Sequence, residues 1–395
     1  MTPDLSTSLA RGSISLPCCV YNASGPRSGT ASALHKVFIS KSGAVLTKSA
    51  TLLAQTGNPQ PRTWQAPDGQ ASLNSEGLPN NGIDYYISKE TIQECCGEHA
   101  SVDSKPYMVS LSGKTLADNL EMLRRISSSP TKSRIAAVEL NLACPNVIGK
   151  PIIGYDFDQM NDILTQISKS EMIRQKQLPP LGVKLPPYFD FQHFAQAAAV
   201  INQFKDLVKF VVSINTLGNA LAIDPIAEAP VISSNSGFAG LSGPAVKYTA
   251  LANVRKLRSL LVPEIDVVGV GGILSGRDVF EMLLAGASAV QVATCHWKEG
   301  PICFDRIHGE LSEILSQRGY KSVKDVIGKL KDWTKEGAAL SREKSKQEGA
   351  LSTKEIQSTG NSDAQFYKTL CGVLALLLAV LCADKWTHIK LLPQE

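Results

Sequence analysis

Short apolar runs recur along the chain at Cys19–Ala23, Ala44–Lys48, Tyr107–Leu111, Ala137–Asn141, Leu181–Leu185, Phe210–Asn215, Val267–Val270 and Ala289–Ala293. Most are apolar at nearly every position. That is the pattern of strands buried on both faces of a parallel sheet. Between them the apolar positions recur with helical spacing over Leu116–Ile126, Phe157–Ile167, Phe191–Phe204, Val246–Leu261 and Gly276–Leu284. The last segment carries Ser275 as a candidate N-cap and Gly286 just past its end. Eight strands alternating with helices predict an α/β fold, a (β/α)8 TIM barrel. The alternative, a doubly wound sheet, needs a G-x-G-x-x-G after the first strand. None is present there, and the nearest glycine cluster, Gly269-Val270-Gly271-Gly272, comes late in the chain.

Two stretches interrupt the alternation. One runs from about Ala54 to Ile87 and is rich in Pro, Gly and Asn; the other runs from about Leu217 to Gly243. Insertions this long in a barrel cover an active site or build a partner surface. Further helices are predicted over Phe304–Arg318 and Val323–Trp333. The pattern then changes, which sets the domain organisation: a barrel over 1–333, a polar flexible linker over 334–365 and a hydrophobic tail over 366–395. The linker is rich in Lys, Glu, Ser and Gly. The tail holds the uncharged run Thr369–Ala383, which as a helix rises roughly 22 Å. That is short of a bilayer core of about 30 Å. Phe366, Tyr367 and Trp386 flank it as interfacial aromatics, and Lys368 and Lys385 are placed to snorkel. The expectation is a C-terminal membrane anchor; a buried packing helix is the alternative.

The chemistry collects at the C-terminal ends of the predicted strands, where a barrel keeps its active site. The stretch Val138-Glu139-Leu140-Asn141-Leu142-Ala143-Cys144-Pro145-Asn146 begins as an apolar strand, and Pro145 ends it. Cys144 therefore sits at a strand end between two amides. A thiol there can act as base or nucleophile, and Asn141 and Asn146 can hold a polar planar ligand. A buried structural cysteine is the plainer reading. The other strand ends supply Asn22-Ala23-Ser24-Gly25, Lys48-Ser49, Lys184, Asn215-Thr216, Gly271-Gly272 and Ala293-Thr294. Any one of these is an ordinary solvated end or tight turn; together on one rim they are a site. Gly271-Gly272 lets backbone N–H groups approach an anion, and Thr294 adds a hydroxyl. Lys48 and Lys184 can stabilise negative charge on a reduced ring or pair with a ligand oxygen. In the first insertion, the turn Asn74-Ser75-Glu76-Gly77-Leu78-Pro79-Asn80 offers N–H groups to a carboxylate.

Composition narrows the class. The chain has 395 residues, is 43% hydrophobic and carries a formal charge of +4 without a dense Lys/Arg block, so nucleic acid is not implied. Nine Cys occur without a C-x-x-C, and the six His never form an H-x-x-x-H pair. The expectation is a reduced, cytoplasmic protein without a zinc site. Met1 to Ser15 has neither a signal-peptide core nor an amphipathic transit pattern.

Across Ser15 to Trp333 the chain resembles the class 1A dihydroorotate dehydrogenases. The resemblance rests on NASG at 22–25, LTKS at 46–49, GNPQPR at 57–62, NSEGLPN at 74–80, ELNLACPN at 139–146, GVKLPPYFD at 182–190, INTLGN at 214–219, GVGGILSG at 269–276 and LAGASAVQVAT at 284–294. It implies FMN-dependent oxidation of dihydroorotate to orotate in pyrimidine biosynthesis, with fumarate reduced to succinate, in a homodimer. By position, Cys144 would be the base. Lys48, Asn74, Gly77, Leu78, Asn141, Asn146, Asn215 and Thr216 would hold the substrate. Ala23, Ser24, Gly25, Lys48, Ser49, Asn141, Lys184, Gly243, Gly271, Gly272, Ala293 and Thr294 would contact FMN. The loop from Cys144 to about Ile153 would be a lid hinged at Gly149. The chain departs from the pattern at Glu76, where Met is usual, at Ala143, where Ser is usual, and at Ser242 and Ala293, where Gly is usual. A carboxylate at 76 should repel an anionic substrate unless it points outward, and Ser242 and Ala293 should crowd a flavin phosphate. The tail after Trp333 is a further departure. It opens a second reading, a membrane-tethered enzyme passing electrons to quinone. A third is a non-catalytic, tail-anchored barrel.

Overall fold

Side chains alternate across a strand, so a strand buried on both faces sends every second residue to a different core. The computed structural model, which describes residues 2–97, 105–143, 152–340 and 342–343, shows this eight times over. The parallel strands are β1 (Val20–Asn22), β2 (Val45–Leu46), β3 (Tyr107–Leu111), β4 (Ile135–Asn141), β5 (Leu181–Leu185), β6 (Val208–Ser213), β7 (Asp266–Val270) and β8 (Ala289–Val292). They lie in the order β1-β8-β7-β6-β5-β4-β3-β2. The row closes where β1 meets β2. There Asn22 donates through Nδ2 to the Leu46 carbonyl (2.7 Å) and accepts at Oδ1 from the Leu46 N–H (2.9 Å), so a side chain takes the place of a ladder. Asn22 is thus a structural residue of the rim.

Among the described residues one longer helix follows each strand: α1 (Ala31–Phe38), α2 (Lys89–Cys96), α3 (Leu116–Ser128), α4 (Phe157–Lys169), α5 (Phe191–Gln203), α6 (Lys247–Leu260), α7 (Gly276–Ala285) and α8 (Ile302–Gln317). α7 begins at Ser275, whose side chain accepts from the Asp278 N–H in a capping box, and ends at Gly286 with φ +113°. Outward-facing Val109, Leu111, Val138, Leu140 and Val183 join the helices in one core cluster. Inward-facing Tyr21, Leu46, Met108, Phe210 and Val268 form a second with Leu9, Ile14 and Leu16. Those last three belong to an N-terminal hairpin, Thr7–Leu9 with Ile14–Leu16. The Ala10 N–H donates to Asp266 at the first residue of β7 (2.8 Å), which places the hairpin at the N-terminal end of the strands.

The two insertions are not loops. Thr63–Gln65 and Ser72–Asn74 from the first join Leu217–Ala220 and Ala239–Ser242 from the second in one four-stranded antiparallel sheet. The predicted helix over Val323–Trp333 is absent. A single 3₁₀ turn, Val323–Asp325, stands there, and Gly328 at φ +73° is incompatible with helix continuation. The chain divides into two units, 1–330 and 331–395. In the second, residues 335–340 are helical. Among the described residues no helix is long and apolar enough to cross a membrane. The run at 369–383 lies outside them.

Candidate active site

The strand ends open on one cleft of about 1230 Å³ of empty space, its open mouth included. Its walls collect most of the predicted residues. Ala23, Ser24, Gly25, Lys48, Ser49, Asn141, Lys184, Asn215, Thr216, Gly271, Gly272, Ala293 and Thr294 line it from the barrel rim. Asn74, Leu78 and Gly243 line it from the inserted segments. Gly77 does not line it. A Cβ there would lie 2.4 Å from Asn58 Oδ1, and φ is +67°, so the turn needs glycine at 77 for its own shape. Cys144, Asn146 and Gly149 lie outside the described residues.

At the floor of the cleft the strand alternation turns polar. Glu139, Lys184, Gln291 and Tyr21 all point into the barrel and are buried. Lys184 Nζ donates to Gln291 Oε1 (2.9 Å) and pairs with Glu139 Oε1 (3.7 Å). Gln291 Nε2 donates to Glu139 Oε2 (2.6 Å) and to Tyr21 Oη (3.2 Å). Burial pulls the Lys184 pKa below the usual lysine range, with the charge of Glu139 opposing the shift. Burial pushes the Tyr21 phenol up, so it stays neutral. Sequence reasoning missed Glu139, Gln291 and Tyr21. The signal was available: Glu139 is two residues before Asn141 and Gln291 two before Ala293, on the same strand faces as the rim residues.

The amides beside this cluster are oriented by one another. Asn141 Oδ1 accepts from the Ala143 N–H (3.1 Å) and from Asn215 Nδ2 (3.2 Å), while Asn215 Oδ1 accepts from the Thr216 N–H (2.9 Å). This chain fixes which end of each amide is the donor. The Ser24, Ser49 and Ser110 hydroxyls form a row, Oγ to Oγ 3.0 Å and 2.8 Å.

At Gly271 and Gly272 the backbone has φ of +125° and +75°, and a Cβ on Gly272 would lie 2.5 Å from Lys247 Cβ. The side-chain direction therefore faces α6, and the segment lines the cleft with bare backbone. Ala293 has φ −114°, which alanine adopts without strain, so nothing in the backbone demands glycine there.

Glu76 does not point outward. It lines the cleft at 8% exposure, with Oε2 3.5 Å from Lys48 Nζ and Oε1 3.7 Å from Arg62 Nε.

The family profile described as dihydroorotate dehydrogenase matches residues 9–315. Among curated relatives, "Dihydroorotate dehydrogenase A (fumarate)" of Lactococcus lactis subsp. cremoris is 43% identical over 333 residues, covering 83% of this chain and 99% of its own. "Dihydroorotate dehydrogenase (fumarate)" of Saccharomyces cerevisiae is 44% identical over 330 residues, covering 84% and 99%. Its Trypanosoma brucei brucei counterpart is 43% identical over 310 residues, covering 78% and 94%. Among solved structures, ligand-free DHODH from Eimeria tenella superposes with a TM-score of 0.66 at 24% identity, over 83% of this chain and 92% of that one, a likeness of fold.

Proposed function

The chain belongs to the dihydroorotate dehydrogenase family, and from that premise we propose that it oxidises dihydroorotate to orotate with bound FMN and passes the electrons to fumarate. The observation that carries the reading is the meeting, in one cleft, of a lysine-and-amide wall with a bare Gly271-Gly272 backbone. Such a wall suits a pyrimidine carboxylate, and such a backbone suits a phosphate. FMN fits on a further ground. The cleft side of Gly271-Gly272 carries no side chain, because a Cβ would point into α6.

When bound, FMN supplies a two-electron acceptor that takes hydride from C6 of the substrate. The protein does the rest. Lys48 pairs with the substrate carboxylate. Asn74, Asn141, Asn146 and Asn215 hydrogen-bond the ring, and the bonds among Asn141, Asn215, Ala143 and Thr216 hold two of those amides in a fixed donor sense before substrate arrives. Cys144, three residues past Asn141, removes the C5 proton to its sulfur. Lys184 keeps a cation at the floor of the cleft, with its charge balanced by Glu139.

A homodimer in a reducing compartment completes the proposal. All six cysteines among the described residues are free. Leu221, Ile223 and Ile226, the last 94% exposed, give the second insertion an apolar surface for pairing. The test is anaerobic mixing with dihydroorotate, which should bleach the flavin absorbance, followed by fumarate, which should restore it. Reoxidation by a soluble quinone and not by fumarate would replace the acceptor. A protein that neither carries nor takes up FMN would overturn the reading.

A further inference from the structure

We infer that Glu76 sets the charge of the substrate-carboxylate subsite, so that the cleft accepts one negative charge and discriminates against a second. The inference rests on the reading of Lys48 as the carboxylate anchor.

The carboxylate is built into the wall. The turn that carries it has φ of +67° at Gly77 and +54° at Leu78, and the Glu76 carbonyl accepts from the Asn58 N–H (2.9 Å). Arg62, on its other side, is itself held, with Nη1 donating to the carbonyls of Thr56 (2.7 Å) and Asn58 (3.2 Å). Side-chain exposures are 11% for Glu76, 10% for Lys48 and 20% for Arg62. A carboxylate this buried is tolerated because two cations face it. The three side chains together carry one net positive charge.

That sum decides what can bind. A lysine ammonium has three donors, so a ligand carboxylate can join Glu76 on Lys48. One negative charge brings the group to neutrality. A second charge on the same ligand finds no unbalanced cation in the triad and is repelled by Glu76. The two proposed substrates differ in this respect: dihydroorotate carries one negative charge and fumarate two. Glu76 is therefore a specificity-determining residue that weighs against the dianionic acceptor relative to the monoanionic donor.

The test is calorimetric titration of the FMN-loaded protein with fumarate and with its monomethyl ester, which differ by one charge. In Glu76→Gln and in Glu76→Met the affinity for fumarate should rise about tenfold more than that for the ester, the order of one charge–charge repulsion in a medium between protein and water. Both variants are needed, since Gln keeps the shape and Met removes the hydrogen bonding. An equal change for both ligands, or none, overturns the inference. Bleaching of the wild-type flavin by dihydroorotate is recorded separately. If it fails while the charge discrimination holds, the proposed reaction falls and the charge-selective subsite stands.

Discussion

Replacing Glu139 tests the charge arithmetic inside the barrel. Its carboxylate lies 3.7 Å from Lys184 Nζ, with side chains only 2% and 7% exposed. At that separation and an effective dielectric of about 20, the Coulombic attraction is about 4.5 kcal/mol. The desolvation of both ions opposes it, so the intact pair contributes little net stability, whereas breaking it leaves a bare buried charge. Glu139→Leu strands the ammonium, and Lys184→Met strands the carboxylate. Each should lose about 3–5 kcal/mol of unfolding free energy. The double variant strands neither, and should fall short of the summed losses by at least about 2 kcal/mol. The assay is urea unfolding at pH 7, read by circular dichroism, with and without FMN. The pH dependence follows in sign. The folded-state pKa of Lys184 lies below its ordinary 10.5, so between the two the unfolded chain binds more protons and stability rises with pH. Without Glu139 that rise should begin at lower pH. Additive single losses, or a flat pH response in Glu139→Leu, would refute the reasoning.

Three further outcomes are expected. Gly272→Ala places a methyl 2.5 Å from Lys247 Cβ at φ +75°; it should cost about 2 kcal/mol or more and lower the flavin-to-protein absorbance ratio after purification. His296, 3% exposed, has its pKa pulled from 6.5 to about 4 by burial, with Arg27 adding to the shift. The neutral ring is favoured in the fold, so stability is full above pH 6.5 and should decline by about 3 kcal/mol as pH falls toward 4; His296→Phe should flatten that decline in urea titrations at pH 7 and pH 5. Cys144→Ala should lower turnover by about 10²-fold or more at neutral pH while FMN stays bound, measured by steady-state rate and flavin content.

Much of the barrel was legible because its strands carry their environment in their composition. Tyr107–Leu111 and Leu181–Leu185 are buried at every position, and their apolar runs mark their ends to the residue. The rim was legible because Lys, Asn and Gly at successive strand ends have no packing reason to recur there. What stayed hidden was set by distant partners. Thr63–Gln65 is only half-buried, and no local pattern announces a strand whose pairing comes from elsewhere in the insertions. Glu139 is one charged residue in an apolar run, and its partner Lys184 comes from the neighbouring strand, which no local pattern announces. Glu76 looked like a liability because its two cations, Lys48 and Arg62, come from other segments of the chain. The Val323–Trp333 expectation failed on Gly328, whose backbone the helical spacing does not reveal.

The antiparallel sheet that helps wall the cleft joins segments far apart in sequence at Ser72 with Ser242, Leu73 with Leu241 and Asn74 with Gly240, and the Ser233 and Ala245 N–H groups add backbone bonds to the carbonyls of Pro61 and Gln70. That seam lies outside the eight staves, so its local fraying leaves the barrel's own ladder whole. Its amides should trade deuterium at a pace set by the occupant, while those of β3 and β5 keep theirs.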